Sequence, residues 1–274
     1  MRILFFGDVM GRSGRDGLAA HLPAIKDKLN PDVIIVNGEN AAAGHGITAK
    51  IAQDFFALGV HCITTGNHVF KQKELVMTID QEGRLLRPLN FPEGTMGHGS
   101  YLHALPDGRK ILIANIMGQL GMTPMLDDPF ACAERLVSQH RLGGGGNGGV
   151  SAIFVDFHAE TTSEKVAMGH HLDGRVSAVI GTHTHIPTAD EQVLAKGTAY
   201  QTDTGMCGDF DSVIGMKKEN ILWRFTRKTP NDRMSPAEGE ATLCGVFITT
   251  NDATGLASDI TAIQIGGRLK ARGT

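Results

Sequence analysis

The sequence predicts an α/β fold, a layered sandwich of mixed β-sheets flanked by helices. Three observations carry that prediction. Short, continuous apolar runs recur along the chain, as strands covered on both faces require. Stretches with apolar residues at helical spacing lie between those runs. Late in the chain the pattern changes to strand-like segments paired around turns. Glycine is abundant, at 35 of 274 residues, against an average usage of about 7%. Many tight loops between regular elements account for that excess.

Taken in order, residues 3–6 (Ile-Leu-Phe-Phe) form the first predicted strand and residues 33–36 (Val-Ile-Ile-Val) the second. Residues 60–64, 111–114, 152–155 and 176–180 are four more. Between the first two, Leu18, Leu22, Ile25 and Leu29 recur at helical spacing. Pro23 should kink or restart that helix, because it removes a backbone donor. Thr48 is a suitable N-cap for a helix through Leu58, ended by Gly59. Residues 71–80, 128–141 and 161–172 also read as helices. Residues 192–201, with Lys196-Gly197 at the turn, predict a hairpin. Residues 242–249 and 260–265 complete an antiparallel region.

The charge balance excludes some functions. Lys and Arg total 26 against 29 Asp and Glu, a net charge of -3, so no extended nucleic-acid surface is expected. The first apolar run ends at Gly7-Asp8, far short of a membrane span, and no later run approaches one. Membrane association is therefore not expected. Cys62, Cys132, Cys207 and Cys244 form no CxxC pair, which suggests reduced thiols in a cytoplasmic protein.

The chemistry gathers where the predicted strands end. The first is followed by Gly7-Asp8, the second by Gly38-Glu39-Asn40 and the third by Gly66-Asn67-His68. The fifth ends at Asp156-Phe157-His158, and the sixth leads to His183-Thr184-His185. In open α/β sheets the carboxyl edge is where ligands bind. Carboxylates, amides and imidazoles together suit first-row divalent metals, whereas calcium and magnesium would use fewer histidines. So many donors exceed the need of one open ion and suit a pair sharing a carboxylate. His45, just beyond the Glu39 loop, is a further candidate for contact with substrate. A dinucleotide-dependent oxidoreductase is disfavoured. Gly7, Gly11 and Gly14 lack the GxGxxG spacing, and Asp8 would oppose a pyrophosphate.

In this order the motifs resemble those of the calcineurin-type metallophosphoesterases, and more narrowly the YmdB-like branch of bacterial phosphodiesterases. Met10 stands where the superfamily usually has a histidine, Glu39 replaces its bridging aspartate, and Val69 replaces the acid after His68. The YmdB-like branch shares these departures. Further similar stretches are Arg87-Pro88-Leu89-Asn90, Thr202-Asp203-Thr204-Gly205-Met206 and Asp211-Ser212-Val213-Ile214-Gly215. The resemblance spans residues 1 to about 267. It implies a calcineurin-like metallophosphoesterase fold over residues 1–274 as one domain. The glycine run 143–149 would be a flexible internal loop, since candidate ligands lie on both sides of it.

The resemblance also implies two divalent metal ions per chain, iron or manganese, with zinc compatible with the donors. Asp8, Glu39, Asn40 and His185 would hold one ion. Glu39 would bridge to a second ion held by Asn67, His158 and His183. The implied activity is phosphodiester hydrolysis, with cyclic nucleotides (2′,3′ or 3′,5′) as the small substrate. A hydroxide shared by the metals would attack phosphorus, and His68 would act as general acid. A homo-oligomer is a further expectation from the resemblance. The alternative is a metal-bearing regulatory or nucleotide-sensing protein with little turnover, because binding and catalysis can share one metal pair.

Overall fold

A computed structural model describes residues 1–143, 149–229 and 233–273. Most of the predicted glycine loop, residues 144–148, lies outside the described residues.

The first strand, β1 (Arg2–Phe6), leads through helix α1 (Gly11–Leu29) to β2 (Val33–Asn37), which pairs with it in parallel. Helix α2 (Ala49–Ala57) then leads to β3 (Cys62–Thr64), parallel to β2. Helix α1 runs unbroken through Pro23, so the proline does not restart it. The proline itself is exposed, while Leu18, Leu22 and Ile25 on either side of it are buried in the layer beneath. That packing outweighs one lost hydrogen bond. Helix α2 starts as expected, with Thr48 Oγ1 accepting from Ile51 N at 3.2 Å.

The helix expected over 71–80 is broken into pieces. Two single 3₁₀ turns, Val69–Lys71 and Ile79–Gln81, flank the four-residue α3 (Lys73–Val76). Gln72 is extended, and its side-chain amide donates to His45 O at 2.7 Å. Residue 72 is thereby tied to a neighbouring loop instead of continuing a helix.

A second sheet follows. An edge strand not anticipated, β4 (Ser100–Ala104), pairs antiparallel with β5 (Lys110–Met117). Helix α4 (Pro129–Gln139), capped by Asp128, leads to β6 (Ala152–His158), and α5 (Thr162–Leu172) leads to β7 (Ala178–Thr182). Strands β5, β6 and β7 run parallel, and the hairpin β8 (Gln192–Val193) and β9 (Ala199–Gln201) closes the edge in the order β4-β5-β6-β7-β9-β8. The chain then returns to the first sheet through β10 (Gly208–Asp209), an unanticipated helix α6 (Lys218–Arg227), β11 (Ala241–Thr250) and β12 (Ala257–Ile265). Strand β11 pairs antiparallel with β1, β10 and β12, so the first sheet has the order β10-β11-β1-β2-β3 with β12 beside β11.

Side chains alternate across a strand, and here both faces are covered. Ile3, Phe5, Val33 and Ile35 meet Ile111, Ile113, Phe154 and Ile180 of the other sheet. Phe5 and Phe154 pack with ring centroids 5.0 Å apart. Leu4, Phe6, Ile34 and Val36 turn the other way, to α1 and α2, while Leu112, Val155 and Val179 turn to α4 and α5. The layers are therefore helix, sheet, sheet, helix, as predicted. The parallel strands of both sheets end on one side, where the apolar interface gives way to polar contacts. Asp156 Oδ2 accepts from Asn37 Nδ2 at 2.9 Å and from Thr64 Oγ1 at 2.5 Å, bonds that cross from one sheet to the other.

Candidate metal centre

All eight residues singled out from the sequence meet above this polar layer. Asp8, Glu39 and His158 are fully buried, and Asn40 and His185 nearly so. His158 Nε2 lies 3.0 Å from Glu39 Oε2, 3.2 Å from Asn67 Oδ1 and 3.1 Å from His183 Nδ1. Donor atoms of Glu39, His158 and His183 all fall within 4.8 Å of one another, the spread a single cation can span. Beside them, His185 Nε2 lies 3.0 Å from Asn40 Nδ2 and 3.9 Å from Asp8 Oδ1.

Each histidine of the cluster is held by its outward nitrogen. Thr182 Oγ1 donates to Asp156 Oδ1 at 2.7 Å, so its oxygen accepts from His158 Nδ1 at 2.9 Å. Glu160 Oε2 accepts from His183 Nε2 at 3.0 Å, and the Ile214 carbonyl accepts from His185 Nδ1 at 2.8 Å. Acceptors at these positions hold one ring nitrogen of each histidine outward and turn the other toward the cluster. That is the arrangement of metal-ligating imidazoles, whose orientation and tautomer are set by such partners.

The electrostatics ask for a cation in the middle. Asp8 Oδ1 and both Glu39 oxygens are buried and accept no hydrogen bond of normal geometry, a costly condition for a carboxylate left to itself. Burial pushes the Asp8 carboxyl above the usual range, although His185 and His158 pull it back. Burial also opposes ionisation of Glu39, but His158 and His68 outweigh it and hold that carboxyl well below its ordinary value. Burial likewise opposes charge on His158, yet Glu39 and Asp8 lift it to about 9. Burial, and then the neighbouring His158, push His183 down to about 3, so its ring is neutral and its lone pair free. The donor set and its orphaned oxygens therefore fit divalent metal.

Space around the cluster is equally constrained. A Cβ on Gly66 would lie 1.8 Å from Glu39 Oε2 and 2.3 Å from His158 Nε2. Only a residue without a side chain passes there. His68, after Asn67, has Nδ1 3.0 Å from Asn40 Oδ1 and 3.1 Å from Glu39 Oε1. These two groups orient His68 where an acid at position 69 is missing, and Val69 is fully buried instead. The His45 ring packs on His68 with centroids 5.1 Å apart. Met10 packs with Met206 and Met216 and contributes no donor.

Comparison with known proteins agrees with this geometry. Residues 4–263 match the model of the YmdB-like protein family. The chain belongs to the YmdB-like family. One member of known activity, the 2′,3′-cyclic-nucleotide 2′-phosphodiesterase of Bacillus subtilis (strain 168), is 46% identical over 266 residues, covering 97% of each chain. A crystal structure of a hypothetical protein from Thermus thermophilus superposes with TM-score 0.88 at 38% identity, covering 98% of this chain and 100% of that one. A structure described as a novel phosphatase of Mycoplasma pneumoniae also gives TM-score 0.88, at 34% identity, covering 97% and 93%. The layered fold is thus shared with YmdB-like relatives along nearly its whole length.

Sequence reasoning did not find the outward partners Glu160, Thr182 and Ile214. Ile214 acts through its carbonyl, which no side chain advertises. Thr182 is the last residue of β7, just past the predicted strand, and carries no charge or ring to mark it. Glu160 stands two residues past His158, beyond the cluster that marks the strand end. The Asp211–Gly215 stretch acquires a role here, since it carries the carbonyl that orients His185. The Arg87–Asn90 stretch serves architecture: Arg87 donates to the carbonyls of Pro88, Thr95 and Met96, and Asn90 to those of Met117 and Asp127.

Proposed function

We propose that this chain is a metal-dependent phosphoric diester hydrolase acting on small phosphodiesters, cyclic nucleotides with a 2′,3′ or 3′,5′ ring in particular. The supporting observation is the trio His158, His183 and His185, each held from outside by one ring nitrogen so that the other turns toward the buried carboxylates of Asp8 and Glu39. The activity of the Bacillus subtilis relative supports the substrate class. Asp8, Glu39, Asn40 and His185 would hold one ion, and Glu39, Asn67, His158 and His183 a second, with iron or manganese favoured and zinc compatible. When bound, such ions lower the pKa of coordinated water and neutralise charge on the phosphoryl oxygens.

The rest of the chemistry falls to the chain's own residues. Asn40 Oδ1 holds the Nδ1 proton of His68, which leaves Nε2 to carry the proton given to the departing alkoxide. Glu39 keeps its negative charge in a buried site because His158 and His68 flank it. The polar layer of Asn37, Thr64, Asp156 and Thr182 fixes His158 from below. Because ligands come from both sheets, we treat residues 1–274 as one domain. Four buried, unpaired cysteines fit a cytoplasmic setting.

The test is metal analysis of the purified full chain, with hydrolysis of 2′,3′-cyclic and 3′,5′-cyclic AMP and of bis-p-nitrophenyl phosphate measured with and without added Mn²⁺. Bound divalent metal and Mn²⁺-dependent turnover are expected. Tight metal with no hydrolysis of any of these esters would replace the enzyme reading with a nucleotide-sensing one.

A further inference from the structure

Behind the metal centre lies a buried ionic group that the proposed chemistry does not use. Lys165, on α5, is almost fully enclosed, and its Nζ donates to Asp203 Oδ2 at 2.7 Å. The same oxygen accepts from Thr184 N at 3.0 Å and from Thr184 Oγ1 at 2.6 Å. Asp203 Oδ1 accepts from Gly205 N at 2.8 Å, and Lys165 Nζ also reaches Thr184 Oγ1 at 3.4 Å. Thr184 is the one residue between His183 and His185. Both of those histidines adopt left-handed backbone conformations, φ 96° and 68°, which residues other than glycine seldom occupy. Such conformations persist where the surroundings hold them in place.

A buried ion pair adds little stability over an apolar pair of similar volume. What it offers that an apolar pair lacks is a charged acceptor with several lone pairs. Here that acceptor takes the backbone N–H and the hydroxyl of one residue at once. Further backbone bonds lace the same segments together, from Thr204 N to Gly181 O at 3.0 Å and from Met206 N to His185 O at 3.0 Å.

We infer that Asp203, charge-balanced by buried Lys165, is a positioning residue: it clamps Thr184 and so holds His183 and His185 in the strained turn that presents both imidazoles to metal. The inference rests on the metal-centre reading above. It gives the Thr202–Met206 stretch a task, since neither Asp203 nor Thr184 belongs to the ligand set.

The experiment is Mn²⁺ titration of the metal-stripped full chain by calorimetry, with thermal unfolding of each metal-free protein measured alongside. Thr184→Val removes the hydroxyl and leaves both buried charges paired. It should unfold near the wild-type temperature yet bind Mn²⁺ about 10–100-fold more weakly, the usual effect of losing an outer partner of a ligand. Thr184→Ser keeps the hydroxyl and should restore wild-type affinity. Asp203→Asn should weaken Mn²⁺ binding at least as much as Thr184→Val does. It also strands the Lys165 charge, so if Asp203→Asn does not fold, Thr184→Val decides the matter. A Thr184→Val protein that binds Mn²⁺ as tightly as wild type overturns the clamp alone. A wild-type chain that takes up no Mn²⁺ overturns the metal-centre reading and the clamp together.

Discussion

At the scale of single residues, two members of the centre should separate cleanly by what their removal does. His68 touches Asn40 and Glu39 by one ring nitrogen, and among the described residues no hydrogen bond engages the other. His68→Ala should therefore keep its metal, while turnover of a cyclic nucleotide falls about 10²–10⁴-fold. Elemental analysis beside steady-state rates checks both halves. Glu39→Gln removes the charge that His158 faces at 3.0 Å, and metal content itself should drop. Full occupancy in that variant would exclude Glu39 as a shared ligand. The inner residues were legible because each follows a strand and carries a side chain with evident donor chemistry. What was not legible is how their far nitrogens are held, since that depends on a carbonyl at Ile214 and a hydroxyl at Thr182 brought near by the fold. The orientation of His68 by Asn40 was hidden for the same reason, as 28 residues separate them in sequence.

At the scale of elements, β2 and β3 are joined by an unusual bond. Ile34 N donates to His61 Nδ1 at 3.0 Å, just ahead of the regular ladder. Burial, and then the nearby His103, push His61 down to about 4. The sign follows from proton counts: between pH 6.5 and about 4 the unfolded chain binds more protons at this site than the folded one, so stability falls as pH falls through that window. Protonation of Nδ1 also destroys the acceptor. His61→Asn, which can offer an uncharged oxygen, should show a shallower loss of unfolding temperature between pH 6.5 and about 4 than wild type. Parallel slopes would exclude the contribution. Most elements were readable from continuous apolar runs, which both-sided burial imposes, and from the cap at Thr48. The exceptions share a cause. Edge strand β4 is half exposed and β10 is two residues long, so neither carries a sustained pattern. Helix α6 buries no side chain completely, and Leu222, Trp223 and Phe225 stay exposed, so it adds no core-facing stripe to the pattern. The region 71–80 was misread because Gln72 answers to the His45 loop, a contact that local spacing does not encode.

At the scale of the whole molecule, the proposed centre is a junction between two sheets. Asp8, Glu39, Asn40 and Asn67 follow strands of the first, whereas His158, His183 and His185 belong to the second. An ion held by both groups binds the folded chain and has no preformed counterpart in the unfolded one. Adding Mn²⁺ at about 100 times its dissociation constant should thus raise stability by about 2.7 kcal/mol. Denaturant titrations with Mn²⁺ and with chelator check this, and an unfolding midpoint indifferent to both would exclude a linked metal. The antiparallel pairing of β1 with β11 has a consequence for biosynthesis. Strand β1 has β2 as one neighbour early but waits for the other, which begins at Ala241. At translation rates of about 5–20 residues per second, that wait is roughly 10–50 s. Throughout it, Asp8, just past the end of β1, is supported from the β2 side alone. A nascent chain should therefore hold its metal firmly only after β11 has paired with β1.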